Sequence, residues 1–245
     1  MDHVLDVCRI PNWYPRFSAN SLPTSFVYLH ANEIRALIAG ENDTTVVKAV
    51  VERLHLAMRN YGYNRFVTVD LAAPTDTPRF QFKRGAVRSA ASAWRILTHS
   101  TKVRNSAIRG EVTAICIRPF RRMEPAREFR LFIKDGKLKA MSQYWLVRHF
   151  ARLEGTKEHY WAMAFDFVEK NEWALPLRDL VMDVYFTASG KILVVDLNPF
   201  GPPTDPLMLN TWEQDWTVFP GIKIIPPPAV VRGSVEVFPS SSSNA

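Results

Sequence analysis

The chain has little cysteine and no long apolar run. Among its 245 residues only Cys8 and Cys116 are cysteines, too few for a disulfide scaffold or a site built from several thiolates. Asp2, His3 and Asp6 interrupt any secretion-type leader at the start. No stretch of the sequence approaches the roughly 18 apolar residues that a membrane-spanning helix needs. We therefore expect a soluble protein of a reducing compartment, the cytoplasm.

The sequence also lacks the two commonest nucleotide-binding motifs. It contains no G-x-x-x-x-G-K-[ST] loop and no G-x-G-x-x-G after a strand, which argues against P-loop and Rossmann folds. We find no internal repeat either. The apolar fraction of 47% is normal for a globular core. A formal charge of +7 favours an anionic partner, which could be a nucleotide, a nucleic acid or an acidic protein.

Hydrophobic periodicity predicts an alternation of helices, strands and hairpins. Helical spacing predicts helices over residues 44–60 and 85–97, with a loop over 98–110. Alternating or continuous apolar residues predict strands over 65–71, 111–120 and 128–133. The proline-interrupted residues 3–29 are predicted to be irregular, with a short extended piece at 25–29. This order favours an α+β fold rather than a doubly wound sheet.

The most informative stretch is residues 180–205, LVMDVYFTASGKILVVDLNPFGPPTD. It is typical of a hairpin, with two apolar runs around a turn at residues 188–190. Alternation places Asp196 and Asn198 on one face of the second strand, with Ile192 and Val194 below them. Asp183 lies in the first strand. A turn of two or four residues would put it on the face of Asp196, whereas a three-residue turn would do so only with a bulge.

Two interpretations of these polar residues are open from spacing alone. Asp183, Asp196 and Asn198 are oxygen-bearing side chains on adjacent buried strands, and such a set suits a hard cation such as Mg²⁺, which also takes oxygens from substrate phosphates. Alternatively, Asp183 caps or kinks its strand, and Asp196 and Asn198 open a turn, where such residues are common.

Several short motifs resemble one known family in the same order along the chain. The stretch 196–201, Asp-Leu-Asn-Pro-Phe-Gly, followed by Thr204-Asp205 and Trp212-Glu213, is similar to the C-terminal signature of the cell division cycle protein 123 family. Three further segments resemble that family: 4–15 (VLDVCRIPNWYP), 73–76 (APTD) and 128–144 (EFRLFIKDGKLKAMSQY).

The resemblance implies an ATP-grasp-like fold with a nucleotide cleft between two lobes. It further implies that ATP and Mg²⁺ bind, and that the protein assists assembly of translation initiation factor 2 by binding its gamma subunit. Carried onto this chain, the family's pattern assigns Mg²⁺ and the ATP phosphates to Asp183, Asp196 and Asn198. Arg130 is the candidate phosphate clamp, with an ion pair to a neighbouring carboxylate as its alternative role. The residues expected to contact adenine are Ile117, Arg118, Pro119 and Phe120.

The chain departs from the family at two positions. Thr68 stands where family members have a lysine, and Thr75 stands where they have an arginine. A lysine there would be expected to meet nucleotide phosphates as a point charge. Its loss brings ATP affinity or turnover into question.

We divide the chain into an N-terminal lobe (1–110), a C-terminal ATP-grasp lobe with the cation-binding hairpin (111–219), and a Pro/Ser-rich terminal extension (220–245). The first functional hypothesis is an ATP- and Mg²⁺-dependent assembly factor with a protein partner. The second is an ATP-grasp ligase that joins a carboxylate to an amine through an acyl phosphate. The third is a basic nucleic-acid-binding protein without ATP use, which no motif supports. No catalytic residue is assigned.

Overall fold

The computed structural model describes residues 3–218 and 220–228, which form two β-sheets with helices around them. Both helices and strands are present throughout, so the predicted α+β class is confirmed. The helices are α1 His3–Val7, α2 Ile10–Phe17, α3 Ala31–Ala39, α4 Thr45–Met58, α5 Pro78–Lys83, α6 Ala90–Thr98, α7 Thr101–Ile108, α8 Ala151–Glu154 and α9 Lys157–Lys170. The strands are β1 Ser25–Tyr28, β2 Arg65–Val69, β3 Ala114–Pro119, β4 Glu128–Lys134, β5 Lys137–Gln143, β6 Leu180–Phe186, β7 Ile192–Pro199 and β8 Gly221–Lys223.

The first sheet is three-stranded and antiparallel, in the order β1-β3-β2. One of its faces carries Val27, Val67 and Ile115, which are buried in a core shared with α3, α4, α6 and α7. Helix α4 matches the predicted helix at 44–60, and the Thr44 hydroxyl caps it by accepting from the Val47 N–H at 3.3 Å.

The second sheet is five-stranded, in the order β7-β6-β4-β5-β8. Its strands pair antiparallel except β5 with β8, which run parallel. One face packs on a core that includes residues of α2 and α9. On the other face, Phe132 packs against Trp212 and Trp216, with ring centroids 5.6 and 6.1 Å apart.

Helix α2 joins the two sheets. Its Trp13 and Phe17 are buried in the core of the second sheet, and Cys116 of the central strand β3 lies in the same core. The face of β3 opposite its helical core therefore looks towards the second sheet.

Two local predictions are wrong. Residues 3–29 contain α1 and α2, because Pro11 lies in the first turn of α2, where its missing N–H costs no helical hydrogen bond. Residues 98–110 contain α7, which begins with Ser100 as a cap: its hydroxyl accepts from the Val103 N–H at 3.1 Å. The polar residues that suggested a loop are the solvent-facing side of this short helix.

The sheets also bear on the predicted lobe boundaries. Strand β3 was predicted to begin the second lobe, but it is the middle strand of the first sheet. Strand β8 was predicted to lie in the terminal extension, but it is the edge of the second sheet. Phe219 and the serine-rich end of the chain lie outside the described residues. Across 3–218 and 220–228, no helix is long and apolar enough to cross a membrane.

Candidate nucleotide and cation site

The hairpin of β6 and β7 brings its two carboxylates directly opposite one another. Asp183 and Asp196 are Cα partners in the ladder. The turn is a three-residue one, closed by the Thr187 N–H bonded to the Lys191 carbonyl at 2.8 Å. The register shifts between Asp183 and Val184, so Val195 is an extra residue on β7. This is the predicted case in which a three-residue turn needs a bulge to put both aspartates on one face.

The bulge also corrects the predicted face pattern. Ile192 and Val194 were expected below Asp196, but they lie in the apolar core with Leu197. Beyond Val195 the alternation changes phase, so Leu197 points to the core while Asp196 and Asn198 share the other face. Simple alternation therefore fails at one residue, and the pairing of the two predicted polar side chains survives.

Asp183 is held by two predicted site residues. Arg130, its direct neighbour on β4, donates from Nε to Oδ1 at 2.7 Å and from Nη2 to Oδ2 at 2.8 Å. Asn198 donates from Nδ2 to Asp183 Oδ2 at 3.1 Å. The third nitrogen of Arg130, Nη1, donates to the Asp205 carbonyl at 2.7 Å. The guanidinium thus makes the ion pair that we set against a phosphate clamp.

Asp196 carries less compensation than Asp183. Burial, together with the negative charge of Asp183, raises the pKa of Asp196 to about 7, although the positive charge of Arg118 acts in the opposite direction. Its Oδ1 accepts from the Leu197 N–H at 3.0 Å. Two carboxylates that face each other in this way repel, and a bound cation would relieve that repulsion.

The donor set fits Mg²⁺ bound together with phosphate oxygens. Two carboxylates and the amide oxygen of Asn198 are hard oxygen donors, and Mg²⁺ is usually bound through one or two carboxylates plus substrate phosphates. Among residues 3–218 and 220–228, no group of three or more His, Cys, Asp or Glu side chains could hold a metal ion. The set is therefore too small for a closed protein-only site.

The predicted adenine segment lies at the end of β3. Ile117 is buried within the first sheet, paired with Ser25 on one side and Val67 on the other. Pro119 pairs with Arg65, and the Phe120 N–H donates to the Asn64 carbonyl at 3.0 Å. The Arg118 side chain leaves this segment and reaches β7 of the second sheet. Residues 117–120 are thus joined to β7, at the residue before Asp196, through one side chain.

The two positions that depart from the family have different surroundings. Thr68 is buried on β2, opposite Cys116, and no hydrogen-bond partner is present for its Oγ1 among the described residues. It lies on the face of the first sheet that looks towards the second sheet. Thr75 is exposed in the loop after β2. Only Thr68 therefore occupies a place from which a longer side chain would reach the inter-sheet space.

Glu128 and Tyr144 were not among the predicted site residues. Glu128 precedes Arg130 by two positions on β4 and so shares its face; burial and the charge of Asp183 raise its pKa to about 7. The Tyr144 ring lies 5.3 Å from the Arg130 guanidinium. The charge of Asp183 and burial raise the pKa of Tyr144. The alternation of polar and apolar residues along 128–133 places Glu128 on the same face as Arg130, and this pattern could have identified Glu128 from the sequence.

Two cavities lie away from the aspartate pair. The larger, about 580 Å³, is lined by Gly136, Glu172, Trp173 and Arg178 among others, at the far end of β4 from Glu128. A second, about 250 Å³, lies between α5 and α6.

Curated relatives match part of this chain. The "Translation initiation factor eIF2 assembly protein" of Danio rerio is 33% identical over 101 residues, which are 41% of this chain and 29% of that protein. The "Cell division cycle protein 123" of Candida glabrata is 32% identical over 102 residues, 41% of this chain and 28% of that protein. The matched segment thus spans less than a third of each of these relatives.

The fold is that of a solved structure of Cdc123 from Schizosaccharomyces pombe. The two superpose with a TM-score of 0.79 at 18% sequence identity, over 92% of this chain and 98% of that one. This likeness confirms the predicted α+β fold class. Among protein-family models, that of D123 matches residues 66–216, more than half of the sequence. The chain therefore belongs to the D123 family.

Proposed function

We propose that this protein binds ATP with Mg²⁺ and acts as an assembly factor for translation initiation factor 2, through the gamma subunit or an equivalent partner. The observation that carries the nucleotide proposal is the placement of Asp196 opposite Asp183 on one face of the second sheet. Membership of the D123 family and the names of the curated relatives support the assembly role. The partner protein is part of the proposal.

In this proposal Asp183, Asp196 and Asn198 hold Mg²⁺, and Ile117, Arg118, Pro119 and Phe120 border the adenine. When bound, the cation would neutralise charge on the ATP phosphates. Arg130 orients Asp183 through its two parallel bonds, and it stays the candidate for phosphate contact. Thr68 supplies no charge, so Arg118 and Arg130 are the buried cations of this region.

Isothermal titration with ATP, with and without Mg²⁺, tests the nucleotide site. We expect binding that needs Mg²⁺ and that Asp196→Ala weakens at least tenfold, because one of only two carboxylate ligands is gone. Asp166→Ala is the matched control: it removes an exposed carboxylate on α9 that pairs with Lys170 at 2.8 Å. The proposal is rejected if the folded wild-type protein does not bind ATP, or if both variants bind as the wild type does.

Binding to the purified gamma subunit of eIF2 tests the assembly role separately. We expect a complex on size-exclusion chromatography in the presence of Mg²⁺–ATP, without release of ADP. Stoichiometric ADP release on mixing ATP with candidate acids and amines would instead indicate the ligase. Binding of nucleic acid that is lost between low and moderate salt, without any effect of Mg²⁺–ATP, would indicate the nucleic-acid-binding alternative.

A further inference from the structure

The bulge on β7 has a partner on the other sheet. A bulge leaves its extra residue without a regular place in the ladder. Here the carbonyl of that residue, Val195, accepts from Arg118 Nη1 at 2.9 Å, across 77 positions of sequence. Arg118 Nε donates to Thr24 Oγ1 at 3.1 Å, which anchors the guanidinium from the side of the first sheet.

The Arg118 side chain is built into the space between the two sheets. Its residue is 5% exposed, and its guanidinium lies 5.8 Å from the Trp13 ring centroid, on α2. Its Nη2 is buried and has no hydrogen-bond partner among the described residues. A buried cation with one uncommitted nitrogen lies beside the carboxylate of Asp196, to which it is a favourable electrostatic neighbour. Such a group is costly to bury unless it is paired and hydrogen-bonded.

The position of the bulge decides where Asp196 points. With a three-residue turn and no bulge, Val195 would oppose Asp183, and Asp196 would oppose Met182, which lies in the apolar core. Because Val194 and Leu197 both lie in the apolar core, the extra residue must be Val195 or Asp196. The hydrogen bond from Arg118 to the Val195 carbonyl favours Val195.

We infer that Arg118 is a positioning residue: it fixes the bulge at Val195 and so holds Asp196 in place opposite Asp183. The consequence for cation binding rests on the proposed function, whereas the effect on β7 itself does not. The hydrogen bond from Arg118 to Val195 would also couple the two sheets, because it joins β3 of the first sheet to β7 at the edge of the second.

Hydrogen exchange provides the first test, without any nucleotide. We expect Arg118→Met to accelerate exchange of the amides between residues 193 and 198 at least tenfold, while α4 keeps its protection. Arg118→Lys, which can reach one acceptor but not both, should fall between. Arg35→Met, at an exposed position on α3, removes an arginine elsewhere and should leave β7 unchanged. Unchanged exchange in β7 of Arg118→Met would overturn the inference; if Met is not tolerated in the fold, Arg118→Lys decides by the same criterion.

Deletion of Val195 provides the second test. It removes the extra residue, so a regular ladder then places the two aspartates opposite each other without a bulge. We expect Arg118→Met to lower the Mg²⁺-dependent part of ATP affinity about tenfold or more in the wild type, since small misplacements of a site group can cost up to about 10²-fold. In the deletion background the same substitution should change that affinity less than threefold. A merely structural role for Arg118 would give equal losses in both backgrounds and would overturn the inference.

The two tests separate this inference from the nucleotide proposal. If Arg118→Met accelerates exchange in β7 and the wild-type protein does not bind Mg²⁺–ATP, the positioning role of Arg118 is supported and the nucleotide site is rejected. If the wild-type protein binds Mg²⁺–ATP and Arg118→Met leaves exchange in β7 unchanged, the nucleotide site is supported and the positioning role of Arg118 is rejected.

Discussion

Asp183 and Asp196 are the same residue type and lie opposite each other in the hairpin, but their surroundings differ. Asp183 receives three hydrogen bonds, from Arg130 and Asn198. Asp196 receives one from the next backbone amide and lies beside the negative charge of Asp183. The charge of Asp183 is therefore compensated by its neighbours, whereas Asp196 is costly to ionise, and a bound cation would lower that cost.

The raised pKa of Asp196, about 7, predicts how stability changes with pH. Between about pH 4 and pH 7 the unfolded chain has lost this proton while the folded chain retains it. The free energy of unfolding therefore falls as pH rises through this window, by at most about 1.4 kcal/mol per pH unit for one group. Urea unfolding of Asp196→Asn from pH 4.5 to 7.5 should show a flatter dependence than the wild type.

Glu128 contributes to the same window with the same sign, because its pKa is also raised to about 7. Glu128→Gln should therefore flatten a further part of the curve. With saturating Mg²⁺ and ATP the wild-type curve should rise relative to the apo curve above pH 6, where ionised Asp196 can take the cation. A wild-type curve of unfolding free energy that rises from pH 4.5 to 7 and is unaltered by either substitution would contradict this assignment.

The ion pair of Arg130 and Asp183 predicts a large loss of stability when it is broken. Both side chains are less than a tenth exposed, so Asp183→Asn leaves a buried guanidinium without its counter-charge. We expect a loss of about 3–5 kcal/mol in the free energy of unfolding. Urea unfolding measures it, and Asp166→Asn is the control: its exposed pair with Lys170 should cost under about 0.5 kcal/mol. Equal losses in the two variants would mean that the buried pair is not formed in solution.

Among the elements, β8 has a role that its length does not suggest. It has three residues, yet it pairs with β5 along Ala140–Ser142. Ile222 packs against the core of the second sheet. Just beyond it, the Ile225 N–H donates to Gln143 Oε1 at 3.2 Å, and its carbonyl lies 2.8 Å from His149 Nδ1. This segment covers an edge of the sheet that would otherwise offer unpaired backbone groups.

Removal of β8 should therefore cause self-association. A chain ending after residue 220 exposes the β5 edge and loses the burial of Ile222, which we expect to lower the free energy of unfolding by about 2–4 kcal/mol. Light scattering should detect oligomers of this truncation. A chain ending after Pro228 keeps β8, so its light scattering and its free energy of unfolding should match those of the full chain. Equal light scattering and equal stability of the two truncations would show that β8 is dispensable.

Several elements could be predicted because their patterns are local. The helical period over 44–60 and the hairpin over 180–205 depend on neighbouring residues, and both elements are present. Helix α7 was missed because its apolar periodicity is weak, and α1 and α2 were missed because they are short and α2 contains prolines. Such short helices are decided by tertiary packing. The bulge in β7 was predicted only as one of two outcomes, because turn length is set by a few φ angles that composition does not specify.

At the scale of the whole molecule, the order of motifs predicted the family and the fold class, but not how the sheets meet. Asp183, Asp196 and Asn198 could be grouped by sequence because one hairpin carries them, whereas Arg130 was added by the family resemblance, and the structure places it beside Asp183. Arg118 was expected to contact adenine, yet its side chain spans the sheets to reach Val195. A contact over 77 positions leaves no periodic signal, so its role could emerge only from the three-dimensional structure.

The bulge in β7 has a consequence for the lengths that this hairpin can have. Twelve residues separate Asp183 from Asp196, and the two carboxylates face each other with a three-residue turn and one bulge residue, as here, or with a four-residue turn and no bulge. A relative with the longer turn and the same spacing would have no bulge carbonyl to accept from Arg118. A relative that lacks the bulge residue, with the same three-residue turn, would also keep the two aspartates opposite each other. The facing aspartates are thus compatible with more than one hairpin length, whereas the contact with Arg118 belongs to the bulged hairpin alone.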